Sequence, residues 1–132
     1  MSSKFRLAVA GFGLLLAARP AAAHHAFAAE FDVDKPVKVT GKVTKFDMVN
    51  PHSWIYVDVA EPDGKITNWR FELGAPNALF RLGWKKTTVP AGLEVVVTGF
   101  QAKSGGPVAN GRSVKLPSGQ TLESGGSNPP KQ

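Results

Sequence analysis

The chain has 132 residues, no cysteine and a formal charge of +6, which excludes a disulfide framework, a thiolate zinc site and cysteine redox chemistry, so that packing alone must supply stability. Three of the 16 basic residues, Lys4, Arg6 and Arg19, fall in the first 19 positions; without them 13 basic residues face 10 acidic ones, and a surplus of three gives no footprint for nucleic acid.

Residues 1–23 read as a cleavable export signal. Lys4 and Arg6 form a positive start, Leu7 to Ala18 an apolar run, and Ala21 and Ala23 provide the small residues that signal peptidase requires. About a dozen apolar residues at 1.5 Å rise span roughly 18 Å, too little for a hydrocarbon core about 30 Å thick, so the segment predicts export and no membrane anchor after cleavage. With no Arg-Arg pair, the general secretory route to the periplasm is expected. Cleavage after Ala23 leaves 109 residues, enough for one domain, and makes His24 the mature amino terminus. Cleavage after Ala22 would place Pro20 at the −3 position and leave Ala-His-His as the new terminus.

Residues 24–35 are expected to form a polar lead-in, 36–123 the domain, and 124–132, rich in Gly, Ser and Pro, a disordered tail. Val37, Val39 and Val43 alternate with polar residues as a first strand, in which Gly41 predicts a bend or bulge. After Asn50-Pro51, Ile55, Val57 and Val59 form the buried face of a second strand, with Trp54, Tyr56 and Asp58 opposite. A turn at Glu61-Pro62-Asp63-Gly64 leads to a third strand with Trp69, Phe71 and Leu73 inward and Arg70 and Glu72 outward. Pro76 to Leu82, closed by Gly83, predicts a short helix. Leu93, Val95 and Val97 mark a fourth strand, and Val108 to Leu116 a fifth that Thr121-Leu122 extends after the Ser118-Gly119 turn. Three strands, a short helix and two strands give the element order of an OB-fold, so a mainly β, five-stranded OB-fold-like barrel is expected, with its helix between strands 3 and 4.

The runs HHAF, NPHSW, DGKITNW, ELGAPNALFRLGW and PAGLEVVVTGF together resemble a bacterial family of small exported proteins known as a domain of unknown function, 6152 type. The resemblance spans His24 to about Leu122. It implies a signal peptide followed by a small β-rich domain, and it carries no biochemical role.

Only three histidines occur, His24, His25 and His52. A free amino-terminal His24 offers its amine and its ring nitrogen to one ion, and a second imidazole completes the nitrogen-rich set that copper(II) favours. His25 offers another route through the amine, a deprotonated amide and its ring. Met48 is a soft fourth donor for copper(I). These residues predict a monomeric periplasmic protein that binds copper, or a similar divalent metal, through its processed terminus. A second reading, without metal, has Trp54 and Tyr56 form an aromatic platform for a small molecule, glycan or protein, as OB-folds commonly bind on that side.

Trp69 and Trp84 read as structural, and Lys38, Lys42, Lys45, Lys85 and Lys86 as solvated face. No catalytic constellation is evident. Ser53 and His52 are strand neighbours pointing to opposite faces, and Asp58, Glu72 and Glu94 are expected on scattered exposed strand positions. Copper oxidase chemistry of the kind that attacks polysaccharides is the one enzymatic option, in a chain small for such a substrate platform.

Overall fold

The computed structural model describes residues 26–129; the expected export segment, His24 and His25 lie outside them. Helical residues 26–30 lead into β1 (Phe31–Asp47), followed by β2 (Trp54–Ala60), β3 (Ile66–Glu72), α1 (Pro76–Arg81), β4 (Glu94–Ala102), β5 (Val108–Lys115) and β6 (Thr121–Glu123). The protein is mainly β with one short helix between β3 and β4, as the sequence predicts, and six strands stand where five are expected. The difference is β6. The turn closed by Gly119, at φ +91°, reverses the chain, so Thr121 to Glu123 return antiparallel along β5 instead of extending it.

The sheet order is β3-β2-β1-β4-β5-β6, and a further β3–β5 pairing joins five of the strands into a ring of hydrogen bonds. That pairing is parallel; the others are antiparallel. The 17-residue β1 belongs to both sides of the ring, pairing with β4 from Phe31 to Lys42 and with β2 from Lys42 to Asp47. Gly41 sits where it passes from one partner to the other. A Cβ there would lie 2.2 Å from the Asp58 carbonyl oxygen, so only glycine permits the approach, and the register shift follows between Val43 and Lys45.

Inside the ring, Ile55, Val57 and Val59 of β2 meet Phe71, Val95, Val97 and Val114, the period-two pattern having sorted them to one face. Leu79 of α1 and Trp84 close the core, both at most 1% exposed. Pro76 opens the helix, and Gly83 at φ +91° ends it. Trp84 donates its indole N–H to the Glu123 carbonyl at 2.8 Å, so the buried tryptophan that follows α1 is tied to β6. Trp69 is half-buried and stacks on Phe71 with centroids 5.8 Å apart. Among the described residues no helix is long and apolar enough to cross a membrane.

Both ends of the domain carry structure that composition does not predict. Within the expected polar lead-in, Phe27 is fully buried and Phe31 nearly so, in a second apolar cluster with Ala102, Phe100 and Val108 on the outer face of the sheet. Phe27 meets Phe100 edge to face at 5.9 Å. Within the expected disordered tail, residues 124–128 run against β5. Ser124 exchanges backbone hydrogen bonds with Gly74 and Arg112, and Asn110 and Arg112 donate their side chains to Ser127 and Asn128. The glycines there serve close approach, since a Cβ on Gly74 would stand 2.4 Å from the Gly125 carbonyl. Small residues let this segment pack; they do not loosen it.

Replacing Gly41 by Ala drives a methyl group into the Asp58 carbonyl, and the folded state should lose about 3 kcal/mol, the upper part of the usual range for overpacking. Gly64→Ala, at a positive φ with open space around it, should lose about 1 kcal/mol. Urea denaturation measures both, and equal losses would remove the close-approach account of Gly41.

Candidate metal and ligand site

His52 precedes β2 in a loop stitched to the end of β3. The Ser53 amide donates to the Gly74 carbonyl at 3.1 Å, and the Leu73 amide donates to the Ser53 carbonyl at 2.8 Å. The β2–β3 register sets Trp54 opposite Glu72, so Glu72 emerges on the outer face beside the loop. Its carboxylate accepts a hydrogen bond from His52, with Nδ1 and Oε1 3.1 Å apart. Nδ1 faces the carboxylate, so Nε2 is the ring nitrogen left to bind something else. The imidazole side chain is 45% exposed, whereas that of Glu72 is 6% exposed.

Glu72 was expected to be exposed, and two segments correct that expectation. The helical residues 26–30 come over it from one side and residues 125–127 from the other. Together with His52 they enclose a cavity of about 280 Å³ lined by Ala26, Glu30, Phe31, His52, Glu72, Gly125, Gly126 and Ser127. Burial is the largest effect on the Glu72 carboxyl and pushes its pKa up; the nearby His52 acts against this, and the charge of Glu30 adds to the rise. Beneath the cavity Asn110, the β5 partner of Glu72, is fully buried, with its Nδ2 donating to Ser127 and its Oδ1 without a partner. The Ser53 hydroxyl is buried and unpartnered as well.

His24 and His25 fall outside the described residues, but Ala26, the next residue in the chain, forms part of the cavity wall. Among the described residues no group of three His, Asp or Glu side chains is arranged to hold a metal ion. His52 with its Glu72 partner is therefore an incomplete set on its own. Met48 packs against the main core and is not among the residues that line the cavity.

Trp54 and Tyr56 point outward from β2 but part company. Trp54 lines a second cavity, with the Arg70 guanidinium 5.7 Å from its ring centroid. Tyr56 is not among that cavity's lining residues, and its ring lies 5.5 Å under the Lys45 ammonium. Lys45 in turn pairs with Asp47 at 2.7 Å, and this partner raises the lysine pKa above its ordinary value. Tyr56 therefore lies outside the cavity that Trp54 lines.

Sequence reading finds His52 and Trp54 by residue type and misses Glu30, Glu72 and the covering segments. The one local signal for Glu72 is its outward place on β3; its burial depends on residues 26–31 and 125–127, far from it on both sides in the chain.

The model of a family described as "Family of unknown function (DUF6152)" matches residues 12–111 of this chain. No curated protein matches, and no solved structure does.

A carboxyl whose pKa is raised on folding contributes stability that is fully present below its unfolded pKa, about 4.3 for Glu, and that is lost as pH rises through the folded value. The melting temperature of the wild type, relative to that of Glu72→Gln, should therefore fall as pH rises from about 4 toward neutrality. A difference that stayed constant across that range would show that the Glu72 carboxyl is not desolvated.

Proposed function

We propose that this chain, which belongs to the family of unknown function DUF6152 and takes no activity from that membership, is an exported, OB-fold-like protein that binds copper(II) or a similar divalent metal. Its processed amino terminus supplies the first donors, through His24 and His25, and His52 joins them.

The observation that carries this reading is the position of Ala26 in the wall of the cavity that holds His52 and Glu72. Phe27, buried among aromatic neighbours, fixes where the chain arrives. Two further residues span at most about 7 Å, a length over which the donors of His24 and His25 can reach from Ala26 toward His52. The Glu72–His52 contact adds the second requirement of a histidine metal ligand, a carboxylate that fixes the orientation of the ring. A terminal amine and imidazoles form a nitrogen-rich set, which suits copper(II). The finer fold assignment rests on the ring order β1-β2-β3-β5-β4 and on the helix between β3 and β4, both of which agree with OB-fold organisation.

Protein whose mass confirms that it begins at His24 should bind one copper(II) ion in a competitive titration, and binding should weaken as the amine, with an ordinary pKa of about 7.7 to 8, becomes protonated. One extra residue ahead of His24 should weaken binding by orders of magnitude; equal affinity would remove the terminal chelate. Glu72→Gln should cost about 10- to 100-fold in affinity if His52 is a ligand, and no change would take His52 out of the site.

A further inference from the structure

The second cavity, of about 350 Å³, is lined by Ala29, Glu30, Phe31, Trp54, Arg70, Ala102, Lys103, Ser104 and Val108. Its volume lies at the small end of the range for ligand pockets. Its walls are of two kinds. Phe31, Ala102, Val108 and the Trp54 ring offer apolar surface. Arg70 and Lys103 bring two cations, against the single carboxylate of Glu30.

Both cations are held in place by the fold. Arg70 is anchored through its backbone amide, which donates to the Pro107 carbonyl at 3.0 Å. Its guanidinium lies over the face of Trp54, 5.7 Å from the centroid, an arrangement that orients the planar fork while leaving its N–H groups unspent. No carboxylate among the described residues forms a salt bridge with it. The Lys103 ammonium donates to the Ala28 carbonyl, and its backbone amide donates to the Glu30 carbonyl. A lysine ammonium has three donors, so two remain. A guanidinium fork and an ammonium lining one cavity match the two oxygens of a carboxylate, and the aromatic and aliphatic walls match an apolar body attached to it.

We propose that the cavity between Trp54, Arg70 and Lys103 is a binding site for a small organic acid with one carboxylate and an apolar body the size of a single aromatic ring. The carboxylate sits between Arg70 and Lys103, and the ring lies against Trp54, Phe31 and Val108. This site shares Glu30 and Phe31 with the His52 cavity but needs no metal, so it stands whether or not the terminal histidines bind copper.

Benzoate is a suitable probe, followed by the indole N–H resonances of the three tryptophans in ¹⁵N-labelled protein. Benzoate should move the Trp54 signal saturably, with a Kd of about 1 mM or lower, and leave that of Trp84, buried in the core, in place. Acetate, which lacks the ring, and benzyl alcohol, which lacks the carboxylate, should each bind at least about tenfold more weakly. Arg70→Gln and Lys103→Gln should each weaken benzoate at least about tenfold, the usual size of losing a charge-assisted hydrogen bond, while an unmoved Trp84 resonance reports an intact fold. The proposal is overturned if Trp54 does not respond, if benzyl alcohol binds as well as benzoate, or if Arg70→Gln retains full binding. Inorganic phosphate competing as tightly as benzoate would make the site one for small inorganic anions and overturn the organic-acid assignment.

Discussion

The parallel pairing of β3 with β5 is three residues long, and most of what is chemically distinctive in this protein hangs on it. Arg70, Phe71 and Glu72 face Val108, Ala109 and Asn110 across it. The middle residue enters the core; the outer two emerge on the other face, one beside Trp54 and the other beside His52. With this contact the sheet closes into a ring, and without it β3 would be an edge strand with an unpaired backbone at its C-terminal end. The same short contact therefore stabilises the fold and spaces a guanidinium and a carboxylate two residues apart, about 7 Å at the rise of an extended strand.

Glycine makes the closure feasible. Gly99 and Gly111 face each other across β4 and β5, and a Cβ on Gly99 would lie 2.1 Å from the Asn110 carbonyl. Gly111 similarly leaves room for the Leu73 side chain. Side chains at these positions would hold the backbones apart at the point where β5 must also reach β3. Close packing of main chain, more than bulk of apolar side chain, sets the shape of this end of the molecule.

What could be read from the sequence follows the range of the interaction responsible. The alternation of Ile55, Val57 and Val59 with Trp54 and Tyr56 is local, and it correctly separates the inner face of β2 from the outer one. The helix at Pro76 is equally local, because Pro and Gly act at their own positions. Glu72 shows the limit: alternation places it outward, which ordinarily means exposed, and it is buried by segments that converge from both termini. Phe27 and Phe31 are four residues apart, but nothing nearby in sequence indicates that Phe100 and Ala102 wait to cover them. In the segment after Glu123, Gly and Ser predict looseness, whereas the hydrogen bonds of Ser124 and the backbone approach at Gly74 use their small size for packing. His52 is visible as a residue type, and its carboxylate partner becomes visible only through strand register.

The wall of the His52 cavity is drawn from residues 26–31 and again from residues 125–127. These two groups lie far apart in the chain, so the enclosure around Glu72 is a long-range feature laid over the sheet. Release of residues 125–127 from their contacts with β5 would expose that carboxylate to water while the ring of five strands stays hydrogen-bonded, which makes the enclosure separable from the fold that carries it.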